Sequence, residues 1–181
     1  LPPIKPRLTE EEIAEKYPWA ANGHGLKKRK PNILTSLEMD PAVMEQRNIH
    51  LQKKYEEIKK NEVRYETIQC DDADYIIVAF GSAARVSQKA IEIASSEGIK
   101  LGLFRPITLW PFPYKEIELL SARIKGILVA EINGGQMVYD VRLATGKGIP
   151  VEYFGRQGGI VPAPDEIVNA LKSKIINSAK S

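Results

Sequence analysis

The sequence predicts a three-layer α/β/α domain with a five-stranded, mostly parallel sheet and one antiparallel edge strand. Residues 75–80 are consecutive apolar residues, too few for a membrane span and too uniform for a strand with one solvated face. Gly81 ends this run, and apolar residues at helical spacing follow it as far as Gly98. A second apolar stretch, 100–104, comes next, and a crossover of this length joins two parallel strands.

Residues 1–40 are predicted to form an extended arm. Their prolines and glycines exclude long helices and leave one short helix over 9–16, which begins with the capping residue Thr9. A disordered linker would rarely contain large apolar residues. We therefore expect four of them to lie against a surface of this domain or of a missing part: Tyr17, Trp19, Ile33 and Leu37.

A long connecting helix is predicted over 41–62, because Asp40 can cap it and Pro41 suits its first position. Its apolar residues form one narrow stripe: Met44, Leu51, Tyr55 and Ile58. The stripe fits a surface helix on the domain's own core, and it also fits a coiled-coil partner helix. We favour the first interpretation because three heptads barely suffice for a coiled coil.

The α/β domain proper is predicted to span 63–181. Residues 63–68 are β-prone, and the short turn that follows leaves no room for a crossover helix, so this strand is the antiparallel neighbour. The later elements, in order, are an irregular segment 105–113, helix 114–123, strand 126–132, helix 136–145, strand 151–154 and helix 164–178.

Composition limits the classes of function. The chain has 181 residues, 43% of them hydrophobic, and a net charge of +3, so one good core is expected. The basic cluster 27–30 lies among prolines and glycines, which favours a solvated loop over a nucleic-acid site. Cys70 is the only cysteine, which excludes a disulfide framework and fits a reducing cytoplasm. No apolar run reaches membrane-spanning length, and the missing initiator methionine suggests a fragment of a longer polypeptide.

Polar residues at the carboxyl ends of the predicted parallel strands are the candidate site, because ligands and partners of open sheets gather there. Four of them are predicted to serve a protein contact: Arg105, Glu131, Asn133 and Arg156. Glu131 ends a buried strand, where a carboxylate needs a donor such as an arginine or a backbone N–H. A structural ion pair and an interface contact would look the same in the sequence.

Gly81 and Ser82 form a candidate anion-binding turn. A dinucleotide fingerprint needs more glycines, so capping of the next helix by Ser82 is the favoured interpretation. Ser82 as a nucleophile would need a base, but His24 lies in the arm and His50 in the long helix. No catalytic residue, cofactor-binding residue or metal ligand is therefore predicted in this chain.

Four motifs together resemble a known family, and they cover 79–85, 103–113, 129–137 and 153–156. The most specific is Arg-Pro-Ile-Thr-Leu-Trp-Pro-Phe-Pro at 105–113. The chain resembles the C-terminal, transketolase-C-like part of the alpha subunit of 2-oxoacid:ferredoxin oxidoreductases. Segments 32–37 and 48–64 look most like the branched-chain type, the 2-oxoisovalerate (3-methyl-2-oxobutanoate) ferredoxin oxidoreductase.

The resemblance implies a multisubunit enzyme that oxidatively decarboxylates a 2-oxoacid with thiamine diphosphate and magnesium. Electrons pass through iron–sulfur clusters to ferredoxin, and the product is an acyl-CoA. The implied partners are a pyrimidine-binding domain, a pyrophosphate-binding subunit and a ferredoxin-like subunit. A homodimer is also possible on this resemblance. Neither a nucleic acid nor a membrane is expected as a partner. This chain would be a non-catalytic scaffold and subunit-interface domain without cofactors of its own. The alternative is a free-standing α/β protein that binds a small molecule or nucleotide.

Overall fold

A computed structural model describes residues 5–21 and 31–178 of the chain. The chain divides into two compact units, residues 1–51 and 52–181. The division into an arm, a connecting helix and a domain, with boundaries after residues 40 and 62, stays a prediction.

The first unit contains the predicted short helix. This helix, α1, is Glu10–Lys16, and Thr9 caps it as predicted. The backbone N–H of Glu12 donates to the Thr9 hydroxyl at 3.2 Å, and the Thr9 N–H donates to the Glu12 carboxylate at 2.7 Å. This reciprocal pair satisfies two amide groups that a helix start leaves without partners.

The arm residues 31–40 contain no helix or strand. Three of the large apolar side chains expected to lie against a surface are mostly exposed, Trp19 at 72%, Ile33 at 82% and Leu37 at 72%. Tyr17 packs edge-to-face on Trp19, with ring centroids 5.8 Å apart. The described residues therefore leave Trp19, Ile33 and Leu37 mostly uncovered, and the surface that would cover them stays a prediction.

Helix α2, Pro41–Asn61, confirms the predicted long helix. The Asp40 carboxylate caps it by accepting from the backbone N–H groups of Ala42 and Val43, at 2.8 and 3.3 Å. No residue of α2 is buried. Its apolar stripe is therefore only partly covered by the described residues, and Leu51 is 37% exposed.

The second unit contains the predicted five-stranded sheet, with strands in the order β1-β3-β2-β4-β5. The strands are β1 (Tyr65–Ile68), β2 (Tyr75–Ala79), β3 (Leu101–Pro106), β4 (Gly126–Glu131) and β5 (Val151–Gly155). The pairs β2–β3, β2–β4 and β4–β5 are parallel, and β1 pairs antiparallel with β3. The predicted strand count, the parallel core and the antiparallel edge are all confirmed.

Four helices cover the two faces of the sheet: α3 (Gly81–Ser96), α4 (Tyr114–Ser121), α5 (Met137–Thr145) and α6 (Pro164–Leu171), the last continued by a π-helical turn, Lys172–Ile176. Side chains alternate along β2, so Ile77 packs in the cluster with α3 and α6, and Ile76 packs in the cluster with α4 and α5. Both are fully buried. Because an apolar cluster packs on each face, the central strands need apolar residues at successive positions, which agrees with the sequence pattern.

Gly102 in β3 provides a test of this packing. A Cβ at this position would lie 2.7 Å from the carbonyl oxygen of Gln69 and 2.9 Å from the Ile76 side chain. We expect Gly102→Ala to lower the free energy of unfolding by about 1–3 kcal/mol, because backbone atoms must move to admit the methyl group. Urea denaturation measures the change.

Gly148→Ala is the matched control, because its Cβ would meet nothing closer than a carbonyl oxygen at 3.7 Å. Its unfolding free energy should stay within about 0.5 kcal/mol of the parent chain. Equal stability of the two variants would contradict the close approach at Gly102.

The exposed arm provides a second test, in limited proteolysis of the dilute 181-residue chain. Chymotrypsin should cleave rapidly between residues 31 and 40, because Leu34 and Leu37 are 81% and 72% exposed and lie in an irregular segment. Cleavage after Leu128, which is fully buried in β4, should be far slower and serves as the internal control. Uniform resistance across the arm would show that a surface covers it.

Candidate functional site

The parallel sheet brings the residues singled out in the sequence to one edge. Strands β2, β3, β4 and β5 are mutually parallel, so their carboxyl ends lie on the same side of the sheet. At or just beyond these ends lie Gly81, Ser82, Arg105, Glu131, Asn133 and Arg156. Arg105 lies within β3, which continues one residue beyond it and is longer than the predicted strand.

The Glu131 carboxylate is the most constrained group at this edge. It is 1% exposed, and it faces the start of α5. Its Oε2 accepts from the backbone N–H of Met137 at 2.9 Å and of Gln136 at 3.3 Å. Its Oε1 accepts from the backbone N–H of Val138 at 3.1 Å, and the Asn133 side-chain amide donates to Oε2 at 3.0 Å. Four donors from the chain itself therefore surround this buried carboxylate.

The start of α5 compensates the burial of this charge. The first backbone N–H groups of a helix have no partner within the helix, and the helix dipole favours a negative charge beside them. Both oxygens of Glu131 already accept hydrogen bonds. Because this carboxylate is 1% exposed and both of its oxygens accept from its own chain, it is poorly placed to take a proton from a substrate.

The arginines at this edge pair with other carboxylates. Arg105 forms an ion pair with Glu66 of the neighbouring β1 at 2.8 Å, and Arg156 forms one with Glu166 at 3.6 Å. In the part of the chain that the structure describes, Glu131 forms no ion pair. Of the donors considered from the sequence, the backbone N–H is therefore the one present, and pairing of Glu131 with an arginine is not observed.

The Asn-Gly-Gly turn after β4 completes the network. The Asn133 side-chain oxygen accepts from the backbone N–H of Gly135 at 2.7 Å, and Gly135 adopts a φ of +92° that favours glycine. The Tyr153 hydroxyl donates to the Asn133 carbonyl. Burial, and then the charge of Glu131, raise the pKa of Tyr153. A Cβ at Gly155 would meet the Tyr153 hydroxyl, so only glycine leaves room for this contact.

The turn after β2 differs from the prediction in one respect. Helix α3 begins at Gly81, with Phe80 as its N-cap residue and no side-chain cap. Ser82 is therefore already inside the first turn, and its predicted capping role is wrong, because Gly81 makes the turn with a φ of +56°. The two residues line a surface cavity of about 500 Å³ together with Ala84, Arg85, Gln88 and Arg105. Binding of an anion in this turn stays a prediction.

Nucleophilic and metal-binding groups are sparse at this edge. His50 is exposed on α2, and His24 lies outside the described residues. Cys70 is buried, where its thiol contacts the Leu103 carbonyl at 3.2 Å and desolvation raises its pKa. Residues 5–21 and 31–178 contain no group of three His, Cys, Asp or Glu side chains that could hold a metal ion. One cysteine in the chain does not fit an iron–sulfur cluster, which needs several thiolates.

Two features escaped the sequence analysis. Tyr153 supports the turn after β4, although its only sequence signal is its place in a short β-prone stretch before Gly155. Trp110 packs edge-to-face on Tyr55 of α2, with ring centroids 5.5 Å apart, and this contact joins segments far apart in the sequence. The aromatic residues of 105–113 could have signalled a contact surface, because aromatic residues are enriched at such surfaces.

The Glu131 network provides a third prediction. Glu131→Gln should lower the free energy of unfolding by about 1–3 kcal/mol, because the new NH₂ group faces backbone N–H donors whichever way the amide turns. Glu66→Gln is the matched control, since Glu66 forms an exposed ion pair and should change stability by less than about 1 kcal/mol. Urea denaturation of both variants measures the difference, and equal losses would contradict a special role for the buried carboxylate.

None of the helices in the described residues is long and apolar enough to cross a membrane.

The parallel sheet, its antiparallel edge strand and its two helical layers define a domain of the transketolase C-terminal class. In agreement, a split-gene transketolase, solved as an inactive β4 tetramer, superposes with a TM-score of 0.53 over 62% of this chain and 41% of that one. Its identity is 18%, so it shows the fold alone.

The family is shown by sequence. The family model for pyruvate:ferredoxin oxidoreductase core domain II matches residues 73–167, more than half of the chain. The chain belongs to this family, which confirms the resemblance stated from its motifs.

Two relatives are similar to most of this chain. The ketoisovalerate oxidoreductase subunit VorB of Methanothermobacter thermautotrophicus is 40% identical over 158 residues, 86% of this chain and 44% of VorB. The 2-oxoglutarate:ferredoxin oxidoreductase of Magnetococcus marinus, solved with 2-oxoglutarate, coenzyme A and succinyl-CoA bound, is 26% identical. It superposes with a TM-score of 0.66 over 86% of this chain and 28% of that one. The chain thus spans less than half the length of these relatives.

Proposed function

We propose that the chain is the transketolase-C-like domain of the alpha subunit of a thiamine diphosphate-dependent 2-oxoacid:ferredoxin oxidoreductase. In this proposal it is a non-catalytic scaffold that holds subunits together. The whole enzyme oxidatively decarboxylates a branched-chain 2-oxoacid, 2-oxoisovalerate, to an acyl-CoA. The similarity to VorB, a ketoisovalerate oxidoreductase subunit, supports this choice of substrate.

The observation that carries the non-catalytic role is the burial of Glu131 and its hydrogen bonding to four donors of its own chain. This carboxylate ends a central strand, where an open sheet presents functional groups, yet its own chain occupies both oxygens. Catalysis of proton transfer needs a group within hydrogen-bond reach of the substrate, and a buried carboxylate with four donors offers none.

The remaining strand-end residues suit contact with another protein. Arg105 and Arg156 are partly exposed, at 39% and 42% of their side chains, and each pairs with only one carboxylate. A guanidinium has five N–H donors in a planar fork, so each keeps donors for a partner's carboxylate or carbonyl groups. In the proposal these two residues contact a neighbouring subunit, while Glu131 and Asn133 hold the edge in shape.

The cofactors lie elsewhere in this proposal. Thiamine diphosphate and magnesium belong between a pyrimidine-binding domain and a pyrophosphate-binding subunit, and the iron–sulfur clusters belong to a ferredoxin-like subunit that passes electrons to ferredoxin. The donor set of the described residues supports this assignment, because it includes no cluster of metal-binding side chains. We further propose a cytoplasmic location, and a division of the chain into an arm at 1–40, a connecting helix at 41–62 and the domain at 63–181.

Calorimetric titration provides a fourth prediction. The 181-residue chain with thiamine diphosphate and magnesium should show no binding in the sub-micromolar range, because the described residues contain no group of three His, Cys, Asp or Glu side chains that could hold the metal ion. The same titration of the chain assembled with its partner subunits is the positive control. Sub-micromolar binding to the chain alone would overturn the proposal and favour a free-standing binding protein.

The assembled enzyme distinguishes scaffold from catalyst. With Glu131→Gln in that assembly, subunit association should weaken while kcat stays near normal at high protein concentration. A thousandfold loss of kcat, about 4 kcal/mol of transition-state stabilisation, with assembly intact would place Glu131 in the chemistry.

A further inference from the structure

A groove on the second unit combines aromatic side chains with lysines. We call it the Trp110 groove, and its volume is about 640 Å³. The residues that matter here are Lys59, Lys60, Trp110, Phe112, Tyr114 and Lys115. The lysines come from the end of α2 and the start of α4, and the aromatic side chains come from the loop and helix start between β3 and α4.

The aromatic side chains of the groove are held in place by their neighbours. Trp110 is 55% exposed and rests edge-to-face on Tyr55 at 5.5 Å. Phe112 is buried and packs edge-to-face on Tyr114 at 5.1 Å. The Tyr114 hydroxyl donates to Asp140 at 2.5 Å, and this hydrogen bond raises the pKa of Tyr114 to about 12. The groove therefore presents a preformed apolar surface whose exposed parts are the rings of Trp110 and, to a smaller extent, Tyr114.

The charges around this surface are mostly positive and unpaired. In the described part of the chain neither Lys60 nor Lys115 forms an ion pair, and Lys59 pairs only with Glu56 of its own helix at 2.8 Å. Glu116 is the one acidic residue among the described lining residues. A ligand that fills the groove would thus bring its apolar part onto Trp110 and negative charge near the lysines.

We propose that the Trp110 groove docks an acidic segment of another protein, with a large apolar side chain on Trp110 and carboxylates beside Lys60 and Lys115. Exposed tryptophan surrounded by polar residues is typical of the centre of protein interfaces. The charge of the lysines complements the carboxylates and steers the segment to the groove. The proposal rests on the proposed function only in expecting that this domain works within an assembly.

A peptide titration tests the groove directly. The probe is the synthetic peptide Gly-Asp-Glu-Leu-Phe-Asp-Glu-Gly, added to the ¹⁵N-labelled 181-residue chain. The indole N–H signal of Trp110 should shift, while that of Trp19, the other tryptophan, should not. Binding should weaken with added salt, because exposed charges are screened.

Two control peptides separate charge from apolar contact. Replacing the acids by Asn and Gln, or the Leu-Phe pair by Ala-Ala, should each weaken binding about tenfold or more. Equal binding of either control peptide, or no shift of the Trp110 signal, would overturn the proposal. Tighter binding of an oligothymidylate would also overturn it, since the occupant would then be a nucleic acid.

Matched variants separate the groove from the rest of the surface. Trp110→Ala and the double change Lys60→Glu with Lys115→Glu should each abolish the titration. Trp19→Ala and Lys54→Glu, an exposed tryptophan and an exposed lysine of α2 outside the groove, should leave it unchanged. Urea denaturation checks that each variant stays folded, and a folded groove variant that still binds would overturn the proposal.

One further outcome completes the test. Sedimentation that shows a dimer lost in Trp110→Ala would identify a second copy as the occupant and overturn the proposal. The peptide titration needs no partner subunit. If the titration fails, the calorimetric and assembly tests of the proposed function still apply. If those tests fail, the proposal for the Trp110 groove can still hold.

Discussion

The contact between the Glu131 carboxylate and the first N–H groups of α5 is the constraint on which the carboxyl edge depends. It joins the end of the central strand β4 to the next helix by charge as well as by chain connection. Asn133 and the Gly-Gly turn adopt their conformation around it, and Tyr153 of β5 supports the turn from the neighbouring strand. Without the helix N-terminus, the cost of burying this carboxylate would exceed what one hydrogen bond returns.

The same contact determines what this edge exposes. A strand-end carboxylate acts on a substrate only when the substrate can reach it. Here Glu131 is buried against the chain's own amides, and the exposed charge belongs to arginines that pair with Glu66 and Glu166. An edge of this kind holds its shape and presents donors, which suits assembly better than bond-making.

Much of the fold could be predicted because the central strands are buried on both faces, and such strands appear as unbroken apolar runs. The partner of Arg105 could not, since it depends on the register that sets Glu66 of β1 opposite Arg105 of β3. The start of α3 was predicted two residues late, because Phe80, and not Ser82, is the N-cap residue, and Gly81 makes the turn with a positive φ. The Trp110–Tyr55 contact was missed because no local pattern reports contacts between distant segments.

The Glu131 network is local in the chain, since every residue in it lies between Glu131 and Tyr153. All five strands likewise fall between Tyr65 and Gly155. A gene can therefore be cut or joined upstream of this span without separating any hydrogen-bond donor from its acceptor in the network. A gene fusion or fission upstream of this span would therefore leave the network intact. The same strand-end structure could then occur in polypeptides of different length.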